Sequence, residues 1–434
     1  MSGRVGPVAS LSRERAVALD AADPLAGFRD QVVGDVTRVD GPERLYLDGN
    51  SLGRLPVGAA ERVAEVLTQQ WGQGLVGSWS GWLDEPTAAG DQLAEVLLGA
   101  RPGEVLVADS TTVNLYKLAS AAMDEAVARD PRRRVVVTDV DNFPTDRYVL
   151  EGLCASRGAT LLRFQADPVL GPTADDVARV LRPDTALLSL SSVAYRSGAR
   201  ADLAAINRVA ADAGVRVLWD LAHAVGAVPV ELEATGCELA VGCTYKYVNA
   251  GPGAPAFLYV RRDLQDRLRS PIWGWFSQQD QFAMGQGYVP AGGIGRFAAG
   301  TPPIAGIALV RAGVDLVAEA GLERLTAKAA SLTDLVVELA DGWLAEFGVE
   351  VATPRAADRR GAHVALRHPA AWQLCQALLA DGVVPDFRTP DVVRLGPAPL
   401  YTRFVDVWDG MDRLRRILSE ERWRHHDAAP GRVT

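Results

Sequence analysis

Between residues 104 and 260 the chain repeats one pattern: a short apolar run, then a stretch with apolar residues at helical spacing. The runs fall at residues 104–108, 134–138, 160–164, 186–190, 215–219 and 239–242, with a clear helical pattern at residues 113–128. Runs this short and this apolar suit strands buried on both faces, and their alternation with helices requires a mainly parallel sheet covered on both sides. The expected fold class is therefore α/β. Further helical patterns at residues 60–71, 304–319, 322–347 and 405–424 complete the expectation. It comprises an N-terminal arm with one amphipathic helix (residues 1–55), a large domain (56–303) and a smaller α/β domain (304–434).

Open parallel sheets hold ligands outside the carboxyl ends of their strands, which directs attention to two runs. Val217-Leu218-Trp219-Asp220 ends in a carboxylate, and Leu239-Ala240-Val241-Gly242 leads through Cys243-Thr244-Tyr245 to Lys246, ahead of the turn Asn249-Ala250-Gly251-Pro252-Gly253. Lysine is scarce here: Lys117, Lys246 and Lys328 stand among 45 Lys and Arg together. Taken singly, Lys246 also reads as a strand-end lysine snorkelling to water, and Asp220 as a helix N-cap. Together, a lysine able to form a Schiff base and an aspartate able to pair with a protonated pyridine nitrogen are the two groups a pyridoxal phosphate site requires. The loop Asp109-Ser110-Thr111-Thr112, between a strand and a helix start, is the candidate phosphate site, although Ser and Thr are also ordinary caps.

Composition narrows the remaining classes. The 434 residues are 48% hydrophobic and 23% charged, with a formal net charge of −9, which argues against nucleic-acid binding through clustered basic residues. No apolar run reaches the length of a membrane span. The cysteines Cys154, Cys237, Cys243 and Cys375 are widely spaced without a CxxC pair, so neither a disulfide framework nor a metal site is expected. A cytoplasmic location fits this usage and the absence of a continuous apolar leader.

Six strings in order resemble the kynureninase family of fold-type-I pyridoxal phosphate enzymes. They are YLDGNSLG at 46–53, STTVNLYKL at 110–118, NFPTDRY at 142–148, LWDLAHAVGAVPVEL at 218–232, CTYKYVNAGPGAPAFLYV at 243–260 and VVRLGPAPLY at 392–401. The resemblance implies that Lys246 carries the cofactor covalently, with Asp220 on its ring nitrogen and His223 close by. It also implies that Phe143 stacks on the ring, that Asp146 and Ser191 line it, and that Thr111, Thr112 and Tyr245 hold the phosphate. Trp275 and Thr301 match positions that reach the cofactor across a homodimer interface. Arg394 matches the arginine for the substrate α-carboxylate, and Asn50 and Trp82 are expected on the substrate as well.

The implied reaction is hydrolysis of the Cβ–Cγ bond of L-kynurenine, or a ring-substituted relative, to an anthranilate and L-alanine. Lys246 would move the α-proton, and Tyr245 would serve as acid/base in later steps, its phenol lowered in pKa by its neighbours. Two departures bear on the aryl pocket: Gly274-Trp275-Phe276-Ser277-Gln278 lacks a histidine common in the family, and Gly77 stands where arginine is frequent. The alternatives are another fold-type-I lyase, such as a cysteine desulfurase or sulfinate lyase, and a silent protein keeping the fold. A desulfurase needs a nucleophilic cysteine on a mobile loop, and none of the four has that setting.

Overall fold

The computed structural model describes residues 11–34, 44–427, 429 and 431; the remainder of the expected N-terminal arm lies outside them. A seven-stranded sheet carries the first half of the chain. Its strands are β1 (Val105–Val107), β2 (Val135–Asp139), β3 (Thr160–Phe164), β4 (Thr185–Ser191), β5 (Arg216–Asp220), β6 (Leu239–Gly242) and β7 (Phe257–Val260). The spatial order is β1-β7-β6-β5-β4-β2-β3. Pairs from β3 through β6 are parallel, and β7 runs antiparallel to both neighbours. The six expected runs are β1 to β6, each within a residue or two of its predicted ends. The seventh, Phe257–Val260, follows β6 after a helix-free connection, so the helix-strand alternation gave no sign of it.

Alternation along the strands divides the sheet's apolar residues between two cores. Val135, Val137, Leu188, Leu190, Val217, Trp219, Phe257 and Tyr259 face one, and Val136, Leu187, Leu218, Leu239, Val241, Leu258 and Val260 face the other. Helix Thr111–Arg129 packs into the second core through Leu115, Leu118, Ala122 and Met123. It starts where the Ser110 hydroxyl accepts from the Val113 N–H at 3.3 Å, the capping geometry its sequence suggested.

A second, antiparallel sheet contains β8 (Glu350–Val351), β9 (Val364–Arg367), β10 (Asp386–Arg388) and β11 (Val392–Leu395), in the order β10-β11-β9-β8. Helices Leu322–Trp343, Ala371–Ala380 and Phe404–Ser419 bury their apolar faces with it. The N-terminal segment joins this unit: the Asp20 carboxylate accepts from the N–H groups of Phe404 and Val405 at 2.6 and 3.0 Å, and Leu45–Tyr46 pairs in parallel with Val383–Val384. Helix Ile304–Ala320, grouped by sequence with the C-terminal domain, instead buries Ile307, Val310, Val314 and Val317 in the large-sheet core. Among the described residues no helix is long and apolar enough to cross a membrane.

That helix presses directly on the chain beyond Lys246. A Cβ on Gly313 would lie 1.9 Å from the Val248 carbonyl oxygen, a contact only glycine permits. Gly313→Ala must displace the helix or the turn, and its expected cost is about 1–3 kcal/mol of overpacking, read as a lower urea midpoint with an unchanged slope.

Candidate active site

The parallel strands deliver their last residues to one edge of the sheet. Register places Ser191 opposite Asp220 and Asp220 opposite Val241, so the turns after β4, β5 and β6 open side by side. The turn after β2 carries Asn142, whose side-chain oxygen accepts from the Ser191 hydroxyl at 2.6 Å and from the Phe143 N–H at 2.9 Å. Asn142 thereby ties together two expected cofactor residues, a role the sequence did not assign it. The Phe143 ring meets Tyr195 edge-on, with centroids 5.3 Å apart. Thr111 and Thr112 sit in the first turn of helix Thr111–Arg129, with Thr112 exposed.

Lys246 is buried, and its Nζ lies 2.9 Å from His223 Nε2. Burial pushes the amine below its ordinary 10.5, while Asp220 draws it back up. His223 is driven well below 6.5, by burial first and then by the Lys246 charge. The imidazole is therefore neutral and able to accept from the amine.

Asp220 accepts from the Ala222 N–H at 2.8 Å. Burial raises its pKa and Lys246 opposes the rise. Asp146 is raised well above 3.8 by burial and by the nearby Asp220 charge, and its Oδ2 makes no hydrogen bond within the protein. Tyr245, its ring 5.8 Å from the Lys246 Nζ, departs from expectation. Burial, with Cys243 adding to it, raises the phenol above its ordinary 10.0 instead of lowering it. Arg388 opposes the rise without cancelling it, and the hydroxyl remains a proton donor near neutrality.

Arg394 lies on β11 and is fully buried. It forms an ion pair with Asp386, donates to the Tyr195 carbonyl, and donates to the Ser51 hydroxyl at 3.0 Å. With its amide oxygen turned toward the guanidinium, Asn50 accepts from Nε and Nη2 at 2.7 and 3.0 Å. The structure thus brings Asn50 to Arg394, as one member of a shell that also includes Asp386. Asp48 is half-buried nearby and is pushed up to about 7, by burial first and then by Asp386. Asp48 and Ser51 fall within the YLDGNSLG string, whereas nothing local in the sequence marks Asp386 or Tyr195.

Trp82 and Trp275 meet each other's neighbours in a separate aromatic cluster. Trp79 contacts Trp82 and Trp275 at 5.8 and 5.9 Å, and the Trp82 indole N–H donates to Gln70 at 2.7 Å. Thr301 is exposed and lines a cleft with Asp109 and Phe276. Phe276 joins the two, its ring 6.1 Å from that of Trp79, while the Lys246 group is built from the strand ends. His363, which sequence reading passed over, is fully buried against His223 with ring centroids 5.3 Å apart. Its one sequence signal was rarity, as one of five histidines.

The groups present fit pyridoxal phosphate. A buried amine, a buried carboxylate raised in pKa, an unsatisfied Asp146 oxygen and a capped helix start surround one strand edge. Fold and site together define a fold-type-I pyridoxal phosphate enzyme. The fold matches a cysteine desulfurase from Thermococcus onnurineus NA1, with TM-score 0.76 and 18% identity over 87% of this chain and 95% of that one. It also matches the cysteine desulfurase CsdA from Escherichia coli, with TM-score 0.75 and 17% identity over 91% and 98%.

Sequence comparison is more specific. Residues 325–414 match the kynureninase C-terminal domain family. Kynureninase from Pseudomonas fluorescens is 42% identical over 95% of this chain and 97% of its own length, and that of Burkholderia pseudomallei strain 1106a is 41% identical over the same shares. The chain belongs to the kynureninase family.

The buried amine makes a pH-dependent prediction. The unfolded state keeps Lys246 protonated up to about 10.5, whereas the folded state releases that proton at lower pH, so in this window the unfolded state binds more protons and stability rises with pH. Cofactor-free Lys246→Met should therefore resist urea better than cofactor-free wild type at pH 8, and the gap should close as pH approaches 10.5. A gap independent of pH would mean that the amine is not shifted by the fold.

Proposed function

We propose that this protein hydrolyses the Cβ–Cγ bond of L-kynurenine, or of a ring-substituted kynurenine, to the corresponding anthranilate and L-alanine, using pyridoxal phosphate. The observation that carries this reading is the buried Lys246–His223 contact beside Asp220, with the buried, multiply bonded Arg394 anchored on the second sheet, in a chain of the kynureninase family. When bound, the cofactor supplies an electron sink for the carbanion left at the substrate α-carbon.

The protein's own groups supply the rest. Arg394 receives the substrate carboxylate with its planar fork, and Asn50 keeps that fork oriented. Lys246, its amine lowered in pKa by burial, takes the α-proton at Nζ, and the neutral His223 accepts a hydrogen bond from the resulting ammonium. Asp220 would pair with the ring nitrogen of the bound cofactor and keep it protonated, Asp146, Ser191 and Phe143 would line the ring, and Thr111, Thr112 and the helix start would hold the phosphate. Tyr245, protonated near neutrality, donates its O–H to the phosphate or to the departing carbon. Trp82 is assigned to the aryl side of the substrate.

The assembly we propose is a homodimer in the cytoplasm, with Trp275 and Thr301 completing the partner's site. The support is the exposed apolar side chains on the segments around Trp79 and Trp275, whose rings meet at 5.9 Å: Trp71, Leu75, Val76, Trp273, Phe282 and Met284 are 56–79% exposed, and exposed apolar side chains gathered on neighbouring segments mark interaction surfaces. Val76→Asp combined with Met284→Asp should convert a dimeric light-scattering mass to the monomer and lower cofactor retention; a dimer left intact by both changes would place the interface elsewhere.

The reaction is tested by incubating cofactor-loaded protein separately with L-kynurenine and 3-hydroxy-L-kynurenine and quantifying aryl acid and alanine. Turnover of either, in equimolar products, is expected. Lys246→Ala should lower kcat on the order of 10²–10⁴-fold, and Arg394→Ala should raise KM by about 30-fold or more, the loss of a charge-assisted pair. Borohydride trapping followed by peptide mapping should modify Lys246 and neither Lys117 nor Lys328. No turnover of both substrates with trapping intact would assign the same cofactor site to a different amino acid.

A further inference from the structure

One buried cation takes no part in the chemistry proposed for Lys246. Lys117, on helix Thr111–Arg129, is fully shielded from solvent. Its Nζ donates to the Asp109 carboxylate at 2.7 Å and to the Phe297 carbonyl at 2.6 Å. A helical side chain leans toward the start of its own helix, so a lysine about two turns in reaches back to the residue before the Ser110 cap. Burial lowers the amine from its ordinary 10.5, and the Asp109 charge is the main influence opposing that.

The loop that Lys117 grips is otherwise set by backbone. Asp109 adopts φ +50°, a left-handed conformation that short polar side chains tolerate better than other non-glycine residues. Its carbonyl accepts from the Ala256 N–H at 2.8 Å, the Ala108 N–H donates to the Ala256 carbonyl at 2.9 Å, and the Asn114 amide donates to the Ala108 carbonyl at 2.7 Å. The chain at residues 108–109 is thus fixed both to the segment entering β7 and to the helix it introduces. Lys117 adds a tie to the Gly293–Phe297 turn, just ahead of Thr301.

The charge of this tie bears on the ligand expected beside it. The residues after Asp109 are those proposed to hold the cofactor phosphate, a group with about two negative charges near neutrality. A carboxylate at the entry to such a loop repels that group unless a cation offsets it. We propose that Lys117 is a positioning residue for the cofactor phosphate: its ammonium holds the Asp109 carboxylate, cancels its charge, and so keeps the loop at residues 110–112 receptive to a dianion. The inference rests on the proposed use of pyridoxal phosphate and is independent of which amino acid is the substrate.

The test compares equilibrium dialysis of pyridoxal phosphate with that of pyridoxal, which lacks the phosphate, against cofactor-free protein. Lys117→Met removes the charge from an unbranched side chain. It should raise the Kd of pyridoxal phosphate by about 10- to 100-fold, the range for one uncompensated charge in a partly screened site, and leave that of pyridoxal near wild type. Asp109→Asn keeps an acceptor for the ammonium and suits the left-handed backbone. With Lys117 in place it should tighten pyridoxal phosphate by about 3- to 10-fold, and added to Lys117→Met it should return most of the lost affinity. Equal weakening of both ligands by Lys117→Met, or no recovery in the double variant, would show a structural lysine and overturn the proposal. If Lys117→Met does not fold, Asp109→Asn decides, because an unchanged or weaker affinity for pyridoxal phosphate in that variant overturns it as well. Wild type that retains neither ligand would instead refute the cofactor reading, and this inference with it.

Discussion

Placing one ammonium-capable group out of water, at the point where parallel strands end, is the constraint around which this site is organised. An isolated buried cation would cost several kcal/mol even after the surroundings relax, so the fold must surround Lys246 with groups that tolerate both of its protonation states. It does this by register. Asp220 enters from the neighbouring strand and favours the charged amine, while burial and Arg394 favour the neutral one. The His223 ring accepts from the former state and is not itself charged in either. The charge on Lys246 is thus set by a balance of opposed effects, which suits the role proposed for it of taking and returning a proton.

Arg394 meets the same requirement in the other sheet with a different solution. Its charge is permanent, so it is buried with a partner, Asp386, and with neutral acceptors in Asn50, Ser51 and the Tyr195 carbonyl. A carboxylate bound in the proposed way would share the guanidinium with Asp386. Asp48, held near 7 by burial and by Asp386, is a carboxylate that can take up a proton as another negative charge arrives. Buried pairs of this kind contribute little net stability, and their value here is a fixed orientation of the fork.

The sheet and the lysine were legible because they depend on local pattern. Short apolar runs specify buried strands, and an aspartate and a lysine at the ends of two such runs must share an edge once the strands are parallel. Strand β7 and the second sheet were less legible, because β7 follows without a helix and the strands of the second sheet are only two to four residues long, too short for a period to register. Helix Ile304–Ala320 looked like the start of a new domain because its partners in the large core are remote in sequence. Asp386 and Tyr195 were not legible for the same reason: each meets Arg394 from another element, and no spacing along the chain encodes that contact. Burial raises the Tyr245 phenol and lowers the Lys246 amine, and nothing in the local sequence shows how deeply either is buried.

The segment at residues 46–53 explains how two sheets hold one substrate geometry. The Gly53 N–H donates to the Tyr245 carbonyl at 2.9 Å, and a Cβ there would lie 2.2 Å from the Lys246 carbonyl oxygen. Four residues earlier, the Gly49 N–H donates to the Gly396 carbonyl at 3.0 Å, and the Gly396 N–H returns to Leu47 at 2.6 Å. Gly396 in turn admits the Asn50 side chain, whose amide group would lie 1.7 Å from a Cβ at that position. One short stretch is thus bonded at one end to the turn that bears the lysine and at the other to the strand that bears the arginine. That stretch sets the span between the Lys246 amine and the Arg394 guanidinium, the groups proposed to move the α-proton and to receive the α-carboxylate, and glycine recurs in it because backbone must touch backbone at both ends.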